Sequence, residues 1–138
     1  MDTTAKQDIA ELLARSAFAL DHKDLQALQQ TFTEDALFTL VIDGVPEPSV
    51  FEGRDAIMGL MKGALDDQTD LRRHVLSNLI FSETDGQGAT VLSYLSLMAT
   101  ENGVTQLITT GLYTDQVAQQ ADGSWLITNR HLKLDRPY

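Results

Sequence analysis

Cysteine is absent from this chain of 138 residues, which excludes a disulfide framework, thiolate chemistry and zinc–thiolate sites. Basic residues are scarce. Lys and Arg number 10 against 20 Asp and Glu, a net charge of −10. Neutralising phosphates takes a Lys/Arg surplus, so nucleic acid is excluded as a partner, and the same sign disfavours anionic membrane surfaces. The acidity is read as serving solubility. No apolar run approaches the ~18 residues of a membrane span. The opening Met1-Asp2-Thr3-Thr4-Ala5-Lys6-Gln7-Asp8 holds no apolar segment of the signal-peptide kind, so the expected location is the cytoplasm. Gly-rich phosphate loops, a Gly-x-Ser-x-Gly elbow and His/Asp/Glu sets at metal-ligand spacing are missing as well. No metal and no cofactor are therefore expected, and any chemistry is acid–base work by side chains.

What is present is ordinary globular material, 43% hydrophobic and 22% charged, enough for one domain over residues 1–138 with a real core. Thr4 followed by Gln7 fits a helix capping box. Ile9, Leu12, Leu13, Ala17 and Leu20 then recur at helical spacing, in a helix ending near Leu20 to His22. Asp24 suits the N-cap of a short second helix with Leu25, Leu28 and Phe32 inward. Asp21 thus falls at the corner between two helices, beside an apolar face. Residues 37–42 are an apolar strand, and Asp43-Gly44 signals a hairpin. Pro46 and Pro48 cannot donate to a ladder, so the return strand near Val50 and Phe51 is a short edge. Gly53 introduces a third helix with Ile57, Leu60, Met61 and Ala64 on one stripe.

From there the pattern holds only long strands. Residues 71–82 form one, and there His74 and Asn78 lie four residues apart, on one face of a regular strand with Leu76 between them. Such a face can wall an apolar pocket with a few polar handles. Asp85-Gly86, Asn102-Gly103 and Asp122-Gly123 then separate strands at 89–100, 104–118 and 124–134. The strand 89–100 is apolar on both faces. The expectation is an α+β fold: a strongly curved, mostly antiparallel sheet, cone-shaped, with three helices capping its concave face. Its cup leaves room for a cavity. Its outer face, left bare, predicts a homodimer through the sheet.

Several phrases carry a resemblance: Ala19-Leu20-Asp21-x-x-Asp24-x-x-Ala27-Leu28-x-x-x-Phe32, Phe51-Glu52-Gly53-Arg54-x-Ala56-Ile57, and Arg73-His74-x-x-x-Asn78. Gly111-x-Tyr113-x-Asp115 and Asp122-Gly123-x-Trp125-x-Ile127-x-x-Arg130 continue it. In this order they resemble the nuclear transport factor two-like superfamily of cone folds, also called cystatin-like rolls. The nearest branch is the SnoaL-like one, with scytalone dehydratase, polyketide cyclases and ring-hydroxylating dioxygenase β subunits as relatives. In scytalone dehydratase-like members an Asp at the end of the first helix pairs with a His on the third strand. The resemblance assigns those places to Asp21 and His74. A carboxylate on one imidazole nitrogen fixes the tautomer and raises the basicity of the other. The departures are equally specific. The strand 89–100 offers Tyr94 but no second histidine. Where ketosteroid isomerase has its tyrosine and base aspartate, this chain has Ser16 and Leu40, and the Asp-Arg-Asp set of limonene epoxide hydrolase is not evident.

Candidate ligand contacts are Asn78, together with Tyr94 and Tyr113, whose hydroxyls could meet a bound carbonyl. Asp115, two residues after Tyr113 and on its face, reads either as a second pocket carboxylate or as a solvated strand-end charge. Trp125 and Phe81 read as core, His22 and His131 as surface, and Arg72 or Arg73 as partners of a neighbouring Asp. Three functions follow. The first is a cofactor-independent lyase, isomerase or cyclase acting on a small apolar or aromatic oxygenated ring compound through Asp21 and His74. The second is a non-catalytic module that binds such a metabolite. The third is an assembly protein like a dioxygenase β subunit.

Overall fold

Asp2, not Thr4, starts the first helix. Its carboxylate accepts the backbone N–H of Ala5 at 2.8 Å, a stronger cap than the Thr4–Gln7 box because an ionised oxygen faces the helix N-terminus. The computed structural model describes all residues, Met1–Tyr138. Helix α1 spans Thr3–Asp21 and buries Ile9, Leu12, Leu13, Ser16 and Ala17. The chain leaves it through Lys23, at φ 57°, and Asp24 caps α2 (Leu25–Gln29) by accepting from Ala27 N–H at 3.0 Å. Phe32 does not extend that helix: it opens strand β1 (Phe32–Ile42), fully buried. Edge strand β2 (Ser49–Glu52) follows the two prolines, and α3 (Arg54–Asp67) starts from Gly53, whose φ of 91° few other residues tolerate.

Strands β3 (Leu71–Glu83), β4 (Gly88–Glu101), β5 (Val104–Gln119) and β6 (Trp125–Leu134) complete one six-stranded sheet in the order β2-β1-β6-β5-β4-β3. All neighbours are antiparallel except β1 and β6. This parallel pair closes the chain's two halves onto each other. Register shifts interrupt the β3–β4 ladder between Ser77 and Ile80, the β4–β5 ladder between Leu97 and Met98, and the β5–β6 ladder between Gln116 and Val117. Each bends its strand and adds twist, so the long sheet curls around α1 and α3 as an α+β cone.

The core fills the cone. Ile9 and Leu13 of α1, Leu28, Phe32, Ile57, Leu95 and Ile127 are at most 2% exposed. On β4 the alternation is strict: Val91, Ser93, Leu95 and Leu97 are buried, whereas Leu92, Tyr94 and Met98 stand outside. The outer face thus stays bare, with Tyr94 56%, Ile80 60% and Val75 45% exposed. No helix is long and apolar enough to cross a membrane. Gly111 lets β5 and β6 approach closely, since a Cβ there would stand 2.7 Å from the Lys133 carbonyl oxygen.

Ser93 Oγ is the only buried side-chain oxygen or nitrogen without a hydrogen-bond partner. Removing it relieves an unpaired polar group, whereas truncating the next inward residue of β4 leaves a cavity. Ser93→Ala is expected to change stability by less than about 1 kcal/mol. Leu95→Ala is expected to cost about 2–5 kcal/mol by urea denaturation.

Candidate active site

The C-terminal end of α1 meets the start of β3. Asp21, the last residue of the helix, points its carboxylate at His74, and Oδ1 lies 2.6 Å from Nδ1. The backbone N–H of His74 also donates to both carboxylate oxygens, at 3.1 and 3.0 Å. Three contacts on one carboxylate fix the ring and the strand together. A carboxylate accepts only, so Nδ1 carries the proton and Nε2 keeps its lone pair whenever the ring is neutral. Both side chains are nearly buried, 13% exposed for His74 and 8% for Asp21.

His74 lines an interior cavity of ≈ 80 Å³, 16 of whose 21 lining residues are hydrophobic. Leu20 of α1, Leu28, Phe32, Leu76 and Leu97 supply much of the wall, and Leu60, Met61 and Ala64 of α3 cover it. Asp21 does not reach this space. It stands behind His74, beside a surface groove that Phe18, His22 and Arg73 also border. His74 borders both spaces, whereas Asp21 borders only the groove. An engineered apolar cavity of roughly 150 Å³ takes benzene. A ring compound in this cavity therefore has to displace the flexible Leu60 and Met61, or Tyr138 at the rim.

A second polar group lies in the same wall, and sequence reasoning gave it no role. Arg130 of β6 donates from Nε to Asp115 Oδ1 at 2.7 Å and from Nη2 to Oδ2 at 3.1 Å. The two residues are direct cross-strand partners on β5 and β6. Nη1 reaches Ser16 Oγ of α1 at 3.5 Å, and the guanidinium carbon lies 4.4 Å from the Tyr113 ring centroid. Asp115 is 0% and Arg130 6% exposed. Removing either charge strands the other at a cost of about 3–5 kcal/mol. Burial works against the Arg130 charge, but Asp115 and then Tyr113 more than offset this and hold the guanidinium above its ordinary value. Arg130 and Tyr113 line the cavity; Asp115 does not.

The other sequence candidates fall elsewhere. Tyr94 shares the outward parity of Leu92 and Met98, so its hydroxyl cannot reach the cavity. Asn78 sits within the β3 register shift in the left-handed region, φ 58°, and is exposed. The shift cancels the parity that would have placed it beside His74, and Leu79 and Phe81 take the inward positions. Asp115 is neither a pocket wall nor a solvated charge but the anchor of Arg130. Arg72 makes a two-pronged contact with Asp70, at 3.0 and 3.4 Å. No group of three His, Asp or Glu side chains is placed to hold a metal ion.

Burial pushes the Tyr113 phenol above its ordinary value of 10.0; Arg130 pulls against that rise, and Asp115 and Asp21 add to it. A group whose folded pKa is raised contributes stability below its unfolded pKa and loses it as pH rises through the folded one. The protein is therefore expected to lose stability above about pH 10, and Tyr113→Phe to lose less over the same range. Thermal unfolding of both proteins at stepped alkaline pH measures the difference.

The SnoaL-like domain family matches residues 1–131. No curated protein matches the sequence. Among solved structures, ActVI-ORFA from Streptomyces coelicolor superposes with a TM-score of 0.84 at 23% identity, covering 96% of this chain and 98% of that one. A Catenulispora acidiphila protein in complex with S-DNPA gives 0.82 at 22% identity, covering 96% and 95%. A protein assigned as the β subunit of an aromatic-ring-hydroxylating dioxygenase from Novosphingobium aromaticivorans gives 0.83 at 17%, covering 98% and 92%. These likenesses establish a shared fold, of the type seen in cystatin-like and nuclear transport factor two-like proteins. With its family matched over nearly the whole length, the chain belongs to the SnoaL-like domain family.

Proposed function

We propose that this protein is a cofactor-independent acid–base enzyme, a lyase, isomerase or cyclase, acting on a small, apolar, oxygenated ring compound. The observation that carries the reading is the 2.6 Å contact between Asp21 and His74 at the wall of an apolar cavity. His74 Nε2 takes a proton from a C–H or O–H of the ligand, and Asp21 stabilises the imidazolium that forms. The apolar wall strengthens every charge interaction in the step. The Catenulispora protein of the same fold was solved in complex with S-DNPA, which supports ligand binding as the work of this chain too.

Exchange of the α-hydrogens of a ring ketone in deuterated water tests the base without knowledge of the natural substrate. With 2-tetralone followed by proton NMR, the protein is expected to accelerate exchange over buffer. Asp21→Asn and His74→Ala should each lower that acceleration by about 10²- to 10⁴-fold. Binding of the ketone with no acceleration would identify a metabolite-binding module instead.

The bare sheet face supports a second statement: the chain forms a homodimer through it. Val75, Ile80, Leu92, Tyr94 and Leu112 are each at least 37% exposed, and strand pairing makes them neighbours on β3, β4 and β5. An apolar surface of this extent is covered in most soluble proteins. Sedimentation is expected to give a dimer, and Tyr94→Asp with Leu112→Asp a monomer. A wild-type monomer would contradict the dimer, and co-purification with a different chain would favour the assembly role of dioxygenase β subunits.

A further inference from the structure

Arg130 is more than half of an ion pair. A guanidinium carries five N–H donors. Asp115 takes one from Nε and one from Nη2, and Ser16 Oγ takes one from Nη1 at a long 3.5 Å. One N–H on each Nη is left without an acceptor. Both remaining N–H groups belong to a cation that lines the cavity. In a wall that is largely hydrocarbon, two unmet charged donors carry a desolvation penalty until an oxygen reaches them. Tyr113 brings a phenol hydroxyl to the lining of the same space. Its ring stacks on the guanidinium, so the two groups hold each other in place.

We infer that Arg130 and Tyr113 form an oxyanion-binding corner, and that the ligand is a neutral ring compound whose carbonyl oxygen docks there and becomes an enolate oxygen as His74 takes the proton. This rests on the reading of His74 as the base. The helix sets the scale. Ser16 marks the Arg130 corner and Asp21 the His74 corner, five residues apart on α1, which is about 7.5 Å along the axis at 1.5 Å per residue. A ring ketone fits between the corners, with its α-C–H within reach of Nε2 and its adjacent carbonyl oxygen within hydrogen-bond reach of Arg130 and Tyr113. In the step, the C–H bond breaks and its proton goes to Nε2. The C–H electron pair becomes the new carbon–carbon π bond, and the carbonyl π pair moves onto oxygen. That oxygen is stabilised by donors fixed before the reaction, which is where electrostatic catalysis gains most. A permanent anion is the poorer fit, because Asp115 already neutralises Arg130 and the chain carries −10.

Equilibrium binding of naphthalene, 2-naphthol and 2-naphthoate tests the corner apart from the base. 2-Naphthol is a stable mimic of an enolate, and its absorbance reports ionisation. It is expected to bind at least about 10-fold more tightly than naphthalene, the usual scale for hydrogen bonds to a charged group, and to show naphtholate absorbance at a pH where free naphthol is protonated. Tyr113→Phe, which keeps the stacked ring, and Arg130→Lys, which keeps the charge beside Asp115, should each cut that preference about 10-fold. His74→Ala should retain it. Equal affinity for naphthalene and 2-naphthol, no binding of either, or a preference unchanged in Tyr113→Phe would overturn the assignment, and tightest binding of 2-naphthoate would replace the carbonyl with a permanent anion. If 2-tetralone exchange fails while the naphthol preference stands, the base reading falls and the corner survives. Exchange that is insensitive to Tyr113 and Arg130 gives the reverse.

Discussion

The buried contact between Asp115 and Arg130 is where three elements of this protein are fastened together. Two charges have been taken out of water between β5 and β6, and the only return is the geometry of their contact: two parallel hydrogen bonds, a tyrosine ring stacked on the cation, and a serine of α1 against the remaining amine. A hydrophobic pair of equal volume would hold the strands as firmly. What such a pair would lack is a charged group at an apolar wall. Arg130 lines the cavity and Asp115 does not, which is the observation behind the binding role proposed for the pair.

The rest of the site depends on the same helix. α1 runs for nineteen residues, packs its apolar stripe into the cone, and delivers Ser16 to one polar corner and Asp21 to the other. Its last residue is locked to β3 by both the ring and the backbone N–H of His74. The three register shifts in the long strands curl the sheet so that β3 and β6, at opposite ends of the antiparallel run, both border one space. A flat sheet would have kept His74 and Arg130 apart. The outer side of the same curl is a broad face of apolar and hydroxyl side chains, and the strict alternation on β4 explains why one strand serves both.

Much of this was legible before the structure. Helical spacing found α1 and α3, the Asp-Gly and Asn-Gly pairs found every long hairpin, and Asp24 announced its cap. The Asp21–His74 contact was legible only through resemblance, because nothing in the spacing of residues 53 apart brings them together. Asn78 was misplaced for a physical reason: a left-handed residue within a strand shifts every parity beyond it, and no local signal distinguishes Asn at such a position from Asn in a regular ladder. Tyr94 was undecided by pattern, since β4 is apolar on both faces. The Asp115–Arg130 pair carries a local signal as well. Counting outward from Asp122-Gly123 as a two-residue turn sets Asp115 opposite Arg130, and opposite charges in register on inward-facing positions are a pairing signal.

Asp21 holds the proton on Nδ1 of His74, which leaves Nε2 bare for the proposed proton transfer. Long-range proton–nitrogen NMR of the imidazole, at a pH where the ring is neutral, measures this directly. The expected result is the Nδ1–H tautomer for His74, with a proton shifted far downfield by the short carboxylate contact and lost in Asp21→Asn. The opposite tautomer, with hydrogen on Nε2 in the wild-type protein, would contradict it.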